Sequence, residues 1–217
     1  MSHSLFDLLS SGDQHGQHDS SRIYGVVVGI VTNNKDPDGM GRVKVKFPWL
    51  SDQDESWWAR IATVMAGSSR GSYFLPEVND EVMIAFEHGD VRFPYVLGAL
   101  WNGKDSPPTT NSDGQNNIRV IKSRSGHIVR LDDTNGNEKI EVIDKTGSNS
   151  ITIGSSDNSI TITANGKVKI VGQSIEITSQ TDIKVTAQTS INVNASTTMD
   201  IESSAPMTIK GATVAIN

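Results

Sequence analysis

The sequence predicts an all-β protein built in two ways. Its first half closes into a small barrel, and its last third winds with other copies of itself into a needle. Three observations carry that expectation. All four Trp, all three Tyr and all five Phe lie at or before Trp101, so the 116 residues after it contain no aromatic ring. Residues 22–101 carry short runs of alternating apolar and polar residues broken by turn chemistry. From Ile160 onward an apolar–polar–apolar unit recurs every seven or eight residues.

The first element, residues 1–21, reads as a short helical piece over Ser4–Leu9 followed by a polar tail. His15 and His18 with Asp13 and Asp19 supply metal-ligating groups there. A solvated tract with nothing to fix its geometry is a poor metal site.

The expected barrel occupies 22–101. RIYGVVVGIVT is β-branched with Gly25 and Gly29 placed to bend it. DPDGMG is a turn. RVKVKFPW alternates Val43, Val45 and Phe47 against Arg42, Lys44 and Lys46. SDQDES reads as a polar loop, WWARIATV as a third strand, EVMIAFEHGD as a fourth and FPYVLGALWN as a fifth. About five short strands with a bent first strand suit an OB-type barrel. Trp49, Trp57, Trp58 and Trp101 are expected in the barrel core or at contacts with other chains. Adjacent Trp57 and Trp58 should point to opposite faces, one filling the barrel.

Residues 102–117 read as a linker stiffened by Pro107 and Pro108. Bridging strands are expected at 118–122, 127–131 and 138–143 within 118–150, with Asn135-Gly136 as a hairpin turn. The octad repeat is assigned to 151–217.

The repeat pairs are Ile160/Ile162, Val168/Ile170, Ile175/Ile177, Ile183/Val185, Ile191/Val193, Met199/Ile201 and Met207/Ile209. The residue between the members of each pair is always polar, so alternation puts the pairs inside and the middle residues outside. The fifth position shares the inward parity and is always small: Ala164, Gly172, Ser179, Ala187, Ala195, Ser203 and Gly211. Large, large, small along one face describes a narrow prism whose sides meet at tight corners. Two inward side chains per strand cannot enclose a core alone, so lateral association is required. Three chains about one axis, each unit forming one side, satisfy this. At ~4.8 Å per strand, eight to ten layers make a rod on the order of 40–50 Å long.

Composition narrows the function. There is no cysteine, which excludes disulfide, cysteine–zinc and thiol chemistry. Hydrophobic residues are 35%, mean hydropathy is −0.32 and net charge is −6. The barrel segment carries eight Lys/Arg against ten Asp/Glu. That balance disfavours nucleic acid, which needs clustered cations. The start lacks a basic region and a long apolar core, so a cytoplasmic protein made without a signal peptide is expected. Three acidic groupings are catalytic candidates: Glu87, His88 and Asp90; His127 with Asp132 and Asp133; and Asp52, Asp54 and Glu55. Each reads as a turn, a hairpin tip or a solvated loop, so no catalytic residue, metal or cofactor is expected.

Four stretches carry a family resemblance: DGMGRVKVKFPW, WWARIA, FLPEVNDEVMIAFEHGD and RFPYVLGALWNGKDSPP. Together with IKSRSGHIVRLDD and the octads, they resemble the VgrG, phage gp5-like and baseplate-assembly-protein-V spikes of contractile injection systems. The resemblance implies a homotrimer at the tip of a phage tail, phage-tail-like particle or type VI-like machine. It implies a separate gp27-like hub protein, because only about 20 residues precede the barrel, where VgrG proteins carry a large hub domain. It implies baseplate and inner-tube partners, transient contact with a target membrane and a particle that is virion-like or released. The gp5 type inserts a lysozyme domain between barrel and needle; the 16-residue linker here leaves no room for one. Some short spikes bind metal through histidines at the apex, but the last histidine here is His127, so a PAAR-type tip protein is expected instead. The competing expectation is a trimeric β-helical tailspike that degrades polysaccharide, disfavoured by the lack of aromatic sugar platforms in the repeats.

Overall fold

The computed structural model describes residues 22–216, and for 51–54 the backbone alone. The reading of 1–21 lies outside the described residues. The described chain is all β apart from one 3-10 turn, Glu87–Gly89. It divides into two units, the second beginning at Gly166.

The barrel is built from β1 (Val27–Asn33), β2 (Lys44–Phe47), β3 (Ser51–Glu55), β4 (Arg60–Ile61), β5 (Ala66–Gly67), β6 (Arg70–Gly71), β7 (Glu81–Phe86) and β8 (Pro94–Leu100). Six of these form one sheet in the order β3-β2-β1-β7-β8-β4, while β5 and β6 make a separate hairpin. Neighbours are antiparallel except β4 and β8, which run parallel. Val43, just before β2, pairs with Ala59, just before β4, which curls the sheet into a partial barrel.

Alternation places Val31, Val43, Val45, Phe47, Ala59, Val82, Ile84, Phe86 and Val96 in one core. Gly29 is needed where β1 crosses it, because a Cβ there would lie 3.3 Å from both Ile84 and Val45. The tryptophans do not fill this core, contrary to expectation. Trp49, Trp57 and Trp101 are exposed, and Trp58 is half-buried beneath Arg42 and Lys44. Aliphatic residues and two Phe already pack the interior, and it is Ala59, not a Trp, that is fully buried from that segment. The polar SDQDES segment is no loop either: β3 pairs antiparallel with β2 across a bulge. The long third strand shrinks to β4.

The bridging segment forms a five-stranded antiparallel meander in the order β13-β12-β11-β10-β9. Its strands are β9 (Ile118–Lys122), β10 (Ile128–Asp132), β11 (Lys139–Ile143), β12 (Ser150–Gly154) and β13 (Ser159–Thr163). The octad reading is corrected here. Residues 150–163 pair with this chain's own strands, Ile153 opposite Ile160 and Ile151 opposite Ile162. The turn between them is made by Asp157, whose Oδ1 accepts the N–H of Ser159, and by Asn158 at φ 54°. Such local closure makes a hairpin rather than a step to a neighbouring chain.

Among the described residues, 166–216 contribute no paired strand. Among the described residues 166–216, no backbone N–H reaches a backbone carbonyl of the same chain.

Candidate functional site

The feature of the second unit is a repeating path with all of its apolar groups uncovered. The first members of the six pairs from Val168 to Met207 are 47–57% exposed, and the second members 68–72%. Exposure is thus nearly constant from unit to unit. Ile160 and Ile162 break the rhythm at 72% and 62%, as their place in β13 requires. Val214, 50% exposed, and Ile216 add a unit that the sequence reading missed. The signal was present, since Val214 follows Met207 by seven residues and Gly211 stands at the fifth position.

The chain bends directly after every small fifth residue. Two residues make the bend after Ala164, Ser179, Ala187, Ala195 and Ser203, and one residue makes it after Gly172 and Gly211. The single-residue bends are the seven-residue units. A Cβ on Gly172 would sit 3.1 Å from the carbonyl oxygen of Ser174, and one on Gly211 would sit 3.2 Å from that of Thr213. Shortening the bend thus folds the carbonyl two residues on against the corner, leaving space only for hydrogen. At the longer corners Ser179 and Ser203 add a brace: their hydroxyls accept the N–H groups of Thr181 and Ala205 at 3.3 and 3.2 Å.

The meander has the same two-sided chemistry. Across one face run Ile121, Val129, Val142, Ile151 and Ile162 in register, with Leu131, Ile140, Ile153 and Ile160 in the next row, all exposed. The opposite face is mixed, with half-buried Ile118, Val120, Ile128 and Ile143 beside charged groups. There Arg130 forks onto Glu141, Lys139 approaches the same carboxylate at 3.6 Å, and Asp132 accepts from Thr134. A sheet that buries its charges and exposes its aliphatics is waiting for cover on the aliphatic side.

The acidic catalytic candidates whose side chains are described, which leaves out Asp52 and Asp54, have structural partners. Glu87 accepts a 2.6 Å bond from the Tyr95 hydroxyl, which raises the Tyr95 pKa. Asp90 is bridged by Arg92, whose guanidinium and backbone N–H hold its carboxyl at about 2. Asp133 pairs with Arg119, and Glu55 with Lys44. His127 accepts the N–H of Lys145 through Nδ1. The strongest network lies in the β1–β2 loop. Asp36 accepts from the Arg42 side chain and from the N–H groups of Met40 and Arg42, and this holds its carboxyl far below the ordinary carboxylate range. Asp13, His15, His18 and Asp19 lie outside the described residues. Among the described residues no three His, Asp or Glu converge as metal ligands.

The fold is thus a small curled β-barrel followed by strands with an uncovered aliphatic side. Residues 27–101 match the type VI secretion system/phage-baseplate injector OB domain. The chain is similar to the type VI secretion system spike protein VgrG3 of Vibrio cholerae serotype O1, 39% identical over 75 residues, covering 33% of this chain and 7% of that protein. It is similar to the spike protein VgrG1a of Pseudomonas aeruginosa, 29% identical over 128 residues, 54% of this chain and 20% of that protein. It is also similar to VgrG4b of the same organism, 30% identical over 140 residues, 58% of this chain and 17% of that protein. The matched region spans a fifth or less of the length of these relatives. The resemblance to VgrG and gp5-like baseplate spikes holds over the barrel, and the longer matches run past it.

Proposed function

We propose that this chain is the non-enzymatic, trimeric central spike of a contractile injection machine. The barrel joins a separate gp27-like hub, and through it the inner tube and baseplate, to a rod formed by the C-terminal units of three copies. The rod carries the thrust of the contracting machine to a target membrane. A PAAR-type protein caps its end.

One observation carries this reading: across residues 166–216 the units bend after each small residue, with no backbone hydrogen bond among the described residues and with every aliphatic pair uncovered. Unpaired backbone and exposed aliphatic surface are each unfavourable, and neighbouring copies relieve both. Strands from adjacent copies pair the backbone. Closure about one axis buries Val168, Ile170, Ile175, Ile177, Ile183, Val185, Ile191, Val193, Met199, Ile201, Met207 and Ile209. The small residues Gly172, Ser179, Ala187, Ala195, Ser203 and Gly211 then form the corners, where there is least space. The aliphatic face of the meander, including Ile160 and Ile162, is covered by the equivalent faces of the other two copies. A continuous ladder of this kind is stiff and slow to come apart.

The test is the native mass of the full chain together with hydrogen exchange over 166–216. Three copies with those amides protected is the expected result. A monomer with an ordered C-terminal third would overturn it. Turnover of capsule polysaccharide or peptidoglycan would favour the tailspike reading instead.

A further inference from the structure

We propose that Asn135 is a self-modification site, deamidated by the following peptide nitrogen with the Glu138 carboxylate as base. The product is an aspartyl or isoaspartyl link in the hairpin turn between β10 and β11. The reactants are the chain's own amide and water, so this chemistry does not depend on the assembly proposed above.

A peptide nitrogen attacks the side chain of the Asn before it only when the two can approach, and glycine, having no Cβ, obstructs the approach least. The sequence has three Asn-Gly pairs: Asn102-Gly103, Asn135-Gly136 and Asn165-Gly166. Their surroundings differ. Asn102 Nδ2 donates to Glu81 Oε2 at 3.1 Å, and its Oδ1 accepts the N–H groups of Lys104 and Asp105, each at 2.8 Å. That amide is committed at both ends. Asn165 is exposed, and no carboxylate holds the Gly166 N–H. Asn135 has what each of the others lacks. Its side chain is exposed and makes no hydrogen bond, while the Gly136 N–H donates to Glu138 Oε1 at 3.0 Å. The surrounding turn keeps that carboxylate in place. The Asn137 N–H donates to the Thr134 carbonyl at 2.8 Å, and the Glu138 carbonyl accepts the Ser155 N–H at 2.9 Å. No atom lies within 4 Å of where a Cβ on Gly136 would stand, so a ring has room to form there.

The step balances within the chain. As the Gly136 nitrogen bonds to Asn135 Cγ, its proton passes to the Glu138 carboxylate. The Cγ–Nδ2 bond breaks, and Nδ2 leaves as ammonia, carrying the proton that Glu138 returns. The cyclic imide left behind takes up one water. Opening at one carbonyl gives aspartate. Opening at the other gives isoaspartate, whose backbone is one carbon longer. No oxidant, reductant or cofactor takes part. The longer backbone falls in the turn that sets β10 against β11, with Leu131 opposite Ile140 and Asp132 opposite Lys139. Modification thus adds a carboxylate and slack at the same point.

The test holds the full-length protein at neutral pH and samples it over days. Peptide mapping by mass reads the change from amide to acid at each Asn-Gly pair, and enzymatic methylation of isoaspartate reads the linkage. Asn135 is expected to react at least severalfold faster than Asn165, with Asn102 slowest. Glu138→Gln keeps an oxygen for the Gly136 N–H and removes the base. It is expected to bring the Asn135 rate down to that of Asn165, whose own rate stays the same. Wild-type protein unfolded in urea gives a second measurement that needs no variant: once Glu138 is released from Gly136, Asn135 is expected to lose its lead. An Asn135 rate no higher than that of Asn165 in the folded protein would overturn the proposal. So would an unchanged or higher rate in Glu138→Gln, or a lead that persists in urea.

Discussion

Replacing Gly172 with Ala tests the account of the short corner. The new Cβ would lie 3.1 Å from the Ser174 carbonyl oxygen and 3.7 Å from Ile175 Cγ1. Ordinary contact begins at 3.4 Å, so the carbonyl contact is about 0.3 Å short. Tilting a ~1.5 Å Cα–Cβ bond to recover that distance takes roughly 11°, which costs about 2 kcal/mol because angle strain rises quadratically. Gly172 is not at positive φ, so no backbone penalty is added. Loss of unfolded-state freedom returns about 0.4–1 kcal/mol. The net expectation is a destabilisation of about 1–2 kcal/mol per chain. Gly166→Ala is the control: nothing lies within 4 Å of its added Cβ, and its φ is not positive either. The same entropy effect should make that variant neutral or slightly more stable. Unfolding rates in denaturant, measured on both full-length variants, decide the matter. If Gly172→Ala unfolds no faster than Gly166→Ala, the crowded-corner reasoning is wrong.

Three other outcomes follow from the geometry. Ile191→Asp would place three carboxylates at one level of the proposed seam, with a penalty on the order of 5 kcal/mol, while Asn192→Asp should be nearly silent. Loss of an SDS-resistant three-chain band in the first variant but not the second is expected, and equal effects would refute the inside–outside assignment. Phe47→Ala removes a buried ring from the barrel and should cost about 3–5 kcal/mol, whereas Trp57→Ala, 68% exposed, should change barrel stability by less than about 0.5 kcal/mol; near-UV circular dichroism on melting checks both. Asp36 has a depressed pKa, held down first by the Arg42 side chain. Its contribution is complete above the ordinary carboxylate range, about pH 4, and is lost as pH falls further through the folded value. Asp36→Asn should therefore lower stability at pH 7 and flatten the loss in acid, as read from melting temperatures across pH 2–7.

The strands whose pattern was legible are those in which every second residue is aliphatic: β1, β2, β7, β8 and the three bridging strands β9 to β11. Their alternation states which side chains meet, and the core of Val31, Val43, Val45, Val82, Ile84 and Val96 follows from it. The failures have a common cause. β3 is wholly polar at Ser51–Glu55, and it is a strand because β2 offers it a hydrogen-bonding edge. A partner supplied that structure, and local propensity could not reveal it. The tryptophans misled for a related reason. Trp57 and Trp58 are the largest residues of their segment, but Ala59 is the one in register with Val43, and position in the ladder outranks size.

The end of the meander exposes a limit on reading repeats. Ile151/Ile153 and Ile160/Ile162 have the same apolar–polar–apolar form as the later units, so spacing alone runs the two segments together. What separates them is the connection. Between Ile153 and Ile160 stands Gly154-Ser155-Ser156-Asp157-Asn158-Ser159, in which Asp157 and Asn158 close a hairpin back onto the same chain. Between the later pairs stand Gly, Ala or Ser corners of one or two bent residues, which no backbone hydrogen bond closes among the described residues. The apolar pairs say that a face must be covered. The residues between them decide whether the cover comes from the next strand of this chain or from another copy, and that information lies in the positions a hydrophobic pattern ignores.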